Sequence, residues 1–169
     1  LVELTSKDRR FHFDFPRLGG GRLDDADPSL QGKPLVVEIF GTWCPNCNDQ
    51  APLMTKWYGE YQPKGLEMVG IAFEFTGDEA EDMEMLRRYA DKYGVSYPLL
   101  LGGTNDKKKA AERLPDLSKV VAYPTTLFID RTGEVQSVYT GFSGPATGAD
   151  YAKLQAEFRK QMDALVASP

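Results

Sequence analysis

Phe11, Phe13 and Phe15 alternate with His12 and Asp14, the period of a strand that buries one aromatic face. Pro16 and Gly19-Gly20-Gly21 end it, and a polar stretch runs to Gly32, where Asp27-Pro28-Ser29-Leu30 predicts a single helical turn. Leu35 to Phe40 is apolar at every position except Glu38 and reads as a strand buried on both faces, the signature of a parallel sheet covered by helices. After a tight Gly41-Thr42 turn the pattern becomes helical from Pro45. Leu53, Trp57 and Tyr61 (i, i+4, i+8) are expected to face the core, with a kink at Pro52. Gly65 and the run Leu66 to Phe73 predict the next strand. Thr76 or Asp78 should then cap a helix with an acidic first turn, its stripe Met83, Leu86, Ala90 and Tyr93, its end at Gly94.

The rest of the chain predicts a strand over Tyr97 to Leu101 and a Lys-rich helix over Thr104 to Leu114. Val120-Val121-Ala122-Tyr123-Pro124 leads into a strand over Thr125 to Asp130. Asp130-Arg131-Thr132-Gly133 signals a hairpin whose partner strand is Val135 to Thr140. Gly141 to Gly148 is a loop, and a last helix carries Tyr151, Leu154, Phe158, Met162 and Leu165 on one face. Strands alternating with helices and closing on a hairpin imply an α/β fold, a mixed sheet with helices on both faces. The chain reads as one domain over 1–169, with 1–33 as an N-terminal extension.

Composition narrows the function. A chain of 169 residues, 41% hydrophobic, can bury about two-thirds of its unfolded surface in one core. It needs no disulfide to fold, which leaves its only two cysteines free for chemistry. A net charge of -5 argues against a nucleic-acid surface, and Lys107, Lys108, Lys109 and Arg113 read as the solvated face of a short helix. No apolar run approaches the ~18 residues of a membrane span. No signal peptide is visible, and the start at Leu1 rather than Met suggests a trimmed chain whose missing N-terminus could have held a signal or an anchor.

The two cysteines sit in Trp43-Cys44-Pro45-Asn46-Cys47, at the junction of strand and helix. Free N–H groups and the dipole at a helix start favour a thiolate, so Cys44 is the expected nucleophile. Cys47, one turn on, would resolve a mixed disulfide. Pro45 suits a first helical turn. The competing readings are inert core thiols or part of a zinc site, for which four ligands are wanted and only His12 could join. Glu38 in a buried strand should have a raised pKa, suited to taking the proton of Cys47; its bland alternative is a lysine partner or a solvated edge. Trp43 is a contact surface or ordinary packing, Glu74 a solvated strand end or a member of the site, and His12 a surface residue. Pro124 before a strand marks a turn or a cis bond.

These residues resemble the thioredoxin fold, and within it the TlpA/ResA-like thiol-disulfide oxidoreductases of bacteria. The likeness rests on W-C-P-N-C opening a helix, Pro52 five residues later, Glu38 six residues before Cys44, and Tyr123-Pro124-Thr125. The Phe11–Phe15 extension and the inserted element around Asp78 to Gly94 point to that branch. The resemblance implies a three-layer fold in which the Tyr123-Pro124-Thr125 segment and Gly141 line a substrate groove facing the dithiol, together with Trp43, Pro45 and Asn46. It implies an enzyme, Cys44, Cys47 and Glu38 being catalytic, with the redox-active disulfide in place of any cofactor or metal. Expected partners are protein disulfides and a membrane or soluble thiol donor, in a periplasmic or extracytoplasmic setting, acted on by a monomer. A buried acid beside the pair disfavours extra negative charge, so the expected direction is reduction. The alternatives are a peroxiredoxin-type peroxidase, whose Pro-x-x-x-Thr-x-x-Cys pattern Phe40, Gly41 and Thr42 do not satisfy, and a metal-binding module.

Overall fold

The computed structural model describes residues 2–120 and 122–169; Leu1, and Val121 in the predicted lead-in to Pro124, lie outside the described residues. The elements run β1 (Asp14–Pro16), β2 (Arg22–Asp24), β3 (Leu35–Phe40), α1 (Pro45–Tyr61), β4 (Glu67–Glu74), α2 (Glu79–Tyr93), β5 (Leu99–Thr104), α3 (Lys107–Arg113), β6 (Thr125–Ile129), β7 (Val135–Thr140) and α4 (Ala149–Ala167). The five-stranded sheet has the order β5-β4-β3-β6-β7. β3 pairs in parallel with β4, and β4 with β5, whereas β6 is antiparallel to both β3 and β7. This is the mixed α/β sheet that the pattern predicts.

β3 is buried at each of its six positions. One face of the sheet carries Val36, Glu38 and Phe40 from β3 and Thr126 and Phe128 from β6. Three helices cover it: Gln50 of α1 reaches Glu38, Tyr89 of α2 stacks on Phe40 at 5.1 Å, and Phe158 of α4 meets Phe128 at 5.2 Å. Glu38 is thus roofed by the helix that begins at the cysteines. Directly beside it in β4 lies Gly70, where a Cβ would come within 2.7 Å of Leu99 Cδ2 and 2.9 Å of the Phe40 ring.

Several boundaries differ from expectation, and the reasons are tertiary. Phe11, Phe13 and Phe15 are buried and His12 and Asp14 exposed, but only Asp14–Pro16 pairs as a strand, with the unpredicted β2. Phe11 and Phe13 bury their rings against the core without a ladder. Asp27–Leu30 is a turn rather than a helical one, its Asp27 carboxylate accepting from the Ser29 N–H and hydroxyl. On α1 the buried stripe is Cys47, Gln50, Ala51, Met54, Trp57 and Tyr61, so Met54 takes the place predicted for Leu53, while Pro52 is exposed. On α2 it is Asp82, Leu86 and Tyr89, with Met83, Ala90 and Tyr93 only partly covered. Asp78 is the N-cap, accepting from the Glu81 N–H, and Thr76 instead bonds Asp82 at 2.6 Å. β5 starts at Leu99 and runs to Thr104, displacing the start of the Lys-rich helix to Lys107.

The N-terminal extension is tied to both sides of the sheet. Arg10 bridges Glu134 beside the β6–β7 turn, and Arg17 bridges Leu100, so the outer edge of β5 is partly paired. A covered edge is one less template for strand addition.

Candidate active site

Cys44 is the N-cap of α1, in extended conformation, and its sulfur accepts the N–H of Cys47 at 3.3 Å. Pro45, at the first helical position, has no N–H to satisfy there. Cys44 is only 5% exposed and Cys47 is fully buried. The Cys44 thiol is lowered to about 7, chiefly by the hydrogen bond from the Cys47 side chain and then by the N–H groups of Cys47 and Asn46, against the opposing effect of burial. Cys47 is pushed the other way, first by burial, then by its bond to Cys44 and by the charge of Glu38. One thiol is therefore poised to ionise near neutral pH while the other holds its proton.

Across from Cys44 the chain folds back from far in sequence. Its thiol donates to the Tyr123 carbonyl at 3.3 Å, and the Tyr123–Pro124 bond is cis. The Gly141 N–H donates to the Pro124 carbonyl at 2.8 Å, with Gly141 at φ 84, a conformation that favours glycine. Thr125 is buried and returns its hydroxyl to the Ala122 carbonyl at 2.8 Å, so its side chain shapes the turn rather than facing solvent. Pro45 and Asn46 are exposed beside the sulfur. Trp43 is partly packed and partly exposed: its indole N–H donates to the Phe73 carbonyl and its ring stands edge-on to Tyr123, yet 39% of it is exposed. The indole lies over Gly41, where a Cβ would collide with it.

Beneath the pair, Glu38 is buried, with no cation beside it among the described residues: its carboxyl oxygen meets Gln50 Nε2 at 2.6 Å. Burial pushes it up to about 8; the Gln50 bond opposes this, and the Cys44 charge adds to it. Glu74 corrects the expectation of a solvated strand end. It is fully buried, accepting from the Thr42 N–H at 3.0 Å and from the Thr42 hydroxyl, while the next residue, Phe75, is exposed. Burial raises it to about 7. Two buried acids thus titrate near neutrality, Glu38 beneath the dithiol and Glu74 against Thr42.

Residues that sequence reasoning missed lock this arrangement. Asn48 donates to the carbonyls of Thr42 and Cys44, both at 2.9 Å, and accepts from the Tyr93 hydroxyl at 2.6 Å. The Tyr89 hydroxyl donates to the Cys47 carbonyl at 3.3 Å. Gln50 carried a legible signal, a polar residue on the buried stripe one turn after Cys47; Asn48 and Thr42 carried none. His12, by contrast, pairs with Asp25 at 2.9 Å on the exposed extension. Among the described residues no three His, Cys, Asp or Glu side chains gather as a metal site.

The AhpC/TSA family model matches residues 10–138, most of the chain and all of the site except Gly141. The chain belongs to the AhpC/TSA family. It is 32% identical over 114 residues to the thiol-disulfide oxidoreductase ResA of Halalkalibacterium halodurans, covering 66% of this chain and 56% of that one. It is 31% identical over 131 residues to the thioredoxin-like protein YneN of Bacillus subtilis, covering 76% and 68%. The chain spans little more than half the length of the first curated relatives it matches. Among solved structures, a thioredoxin-family thiol:disulfide interchange protein of Chlorobium tepidum aligns with a TM-score of 0.70 at 21% identity, over 96% of this chain and 99% of that one. A secreted disulfide oxidoreductase of Mycobacterium tuberculosis aligns at 0.65 and 24%, over 90% and 96%. At such identities these two establish the fold. This AhpC/TSA-family chain therefore has the thioredoxin-like architecture, and its named relatives include the ResA proteins that W-C-P-N-C resembles.

Proposed function

We propose that this chain is a thiol-disulfide oxidoreductase that reduces protein disulfides, with Cys44 as nucleophile, Cys47 as resolving thiol and Glu38 as proton acceptor. The observation that carries it is the split of the two thiols at the start of α1, one lowered to about 7 and the other raised. The Cys44 thiolate attacks one sulfur of a substrate disulfide; the other sulfur leaves as a thiolate, and a mixed disulfide forms. The Cys44 charge is then gone. That charge helps to hold the proton on Glu38 and helps to raise Cys47, so its loss lets Glu38 release its proton to water, and the carboxylate then takes the proton of Cys47. Cys47 attacks the Cys44 sulfur, the second substrate thiolate leaves, and the Cys44–Cys47 disulfide remains for an external thiol donor to reduce.

Trp43, Pro45 and Asn46 form the exposed surface on which the substrate backbone lies, facing the Tyr123–Pro124 turn and Gly141, with Thr125 holding that turn from within. The direction is reduction because a Cys44 pKa of about 7 lies at the weakly acidic end of the range that such sites span, ~3.5 to ~7. An extracytoplasmic setting fits the secreted Mycobacterium tuberculosis neighbour. Replacement Cys47→Ser should accumulate mixed disulfides with substrate proteins, and the native pair should titrate nearer the thioredoxin potential, about -270 mV, than the oxidising limit of about -120 mV. No mixed disulfide and no reduction of insulin would remove the reading; a potential at the oxidising limit would reverse its direction.

A further inference from the structure

We infer that Gln50 is a positioning residue for Glu38, holding the carboxyl beneath the dithiol and keeping a hydrogen bond to it in both of its protonation states by turning its amide end for end. Its part in the reaction rests on the oxidoreductase reading; its part in the titration of Glu38 does not.

Gln50 is fully buried on the core stripe of α1, one turn beyond Cys47, so a single rigid helix carries the resolving thiol and the partner of the acid. Its Nε2 lies 2.6 Å from Glu38 Oε2 and 3.4 Å from Thr126 Oγ1. Thr126 is directly opposite Glu38 in the β3–β6 ladder, so the amide bridges the side chains of two paired strands. Its other end, Oε1, is buried with no hydrogen-bond partner. An orphaned buried acceptor costs about 1–3 kcal/mol. An apolar side chain would pack there without that cost, so stability alone does not account for the amide.

The separation is short for N–H···O, which centres near 2.9 Å, and ordinary for O–H···O, which ranges over about 2.5–3.0 Å. An amide can serve both. Towards the carboxylate Nε2 donates; towards the protonated acid Oε1 takes its place and accepts the Glu38 O–H and the Thr126 hydroxyl. The groups that face Glu38 from the packed elements are Cys44 and Cys47 on α1, Tyr89 on α2 and Tyr97 before β5, all of which feel its charge or impose theirs on it. None of these is a cation. Gln50 is therefore the group that favours the carboxylate, and the bond to a charged acceptor is the stronger of its two.

Carboxyl-carbon NMR on the reduced protein should show Glu38 titrating as one step, with the Gln50 side-chain NH2 resonances following the same midpoint and losing that response in Glu38→Gln. In Gln50→Leu the Glu38 midpoint should rise by about one pH unit, and the pH profile for resolution of a preformed Cys44 mixed disulfide should move alkaline by the same amount. Gln50→Met, close to isosteric, supplies the same measurement if the leucine variant does not fold, and the wild-type amide titration needs no variant. Gln50 resonances indifferent to Glu38, or a Glu38 midpoint unmoved or lowered in both variants, would overturn the inference. If Cys47→Ser traps no mixed disulfide while the Glu38 midpoint moves as stated, the oxidoreductase reading fails and the pairing stands.

Discussion

Three donors converge on the Cys44 sulfur, and the largest is the one that can be deleted without touching the backbone. The rate of Cys44 alkylation should rise with a midpoint near pH 7, and Cys47→Ala should move that midpoint upward, since the Cys47 side chain heads the causes that lower it. A midpoint unchanged in that variant would assign the acidity to the N–H groups alone. At this scale much was legible. A Cys-x-x-Cys spacing at a helix start, and a lone acid in an otherwise apolar strand, announce their chemistry because each violates its local pattern. Glu74 announces nothing: it follows a strand of apolar residues as a solvated end would. It is buried because Thr42, from the turn after β3, brings two donors to it across 32 positions of sequence.

Between elements, the site is set by how closely β3, β4 and β5 pack on one another. Gly70 is in register with Glu38. A methyl group there meets Leu99 and the Phe40 ring closer than 3.0 Å, and both neighbours are core residues. Gly70→Ala should therefore cost about 1–3 kcal/mol in denaturant unfolding and shift the Phe40 ring against Tyr89. A variant as stable as the parent would show that β4 can yield. The helix stripes teach the same lesson in milder form. Periodicity located α1 and α2 along the chain, but a stripe has several candidate phases. The partner surface chooses among them: Met54 over Leu53, and Tyr89 over Ala90 and Tyr93, because Tyr89 meets Phe40 and the Cys47 carbonyl.

For the molecule as a whole, the two raised acids set a pH dependence of opposite sign to that of ordinary paired carboxylates. Glu38 and Glu74 rise from an unfolded value of 4.5 to about 8 and about 7. Between those values the native state holds protons that the unfolded chain has released, so stability falls as pH rises through about 4.5 to 8. At ~1.4 kcal/mol per unit, the loss is on the order of several kcal/mol. His12, raised by Asp25, adds a small loss in the same direction above its unfolded value of 6.5, screened by exposure. Chemical denaturation across this range should show the decline, and Glu38→Gln with Glu74→Gln should flatten it; a doubly substituted protein with the parental slope would place the protons elsewhere. Among the described residues no helix is long and apolar enough to cross a membrane.

What the sequence determined by itself is what chain neighbours can decide: a buried parallel-type strand carrying one acid, a helix opening on Cys44 and Cys47, and the α/β order of elements. What only the tertiary structure decided is everything that depends on partners remote in the chain. Tyr123 comes to the Cys44 sulfur, Gln50 joins Glu38 to Thr126, Asn48 and the two α2 tyrosines brace the cysteine turn, and Glu74 goes under Thr42. The physical reason is that hydrophobic periodicity reports only which face of an element leaves water. A buried polar group is placed by the particular donor or acceptor it meets, and that donor or acceptor is chosen by how the elements pack.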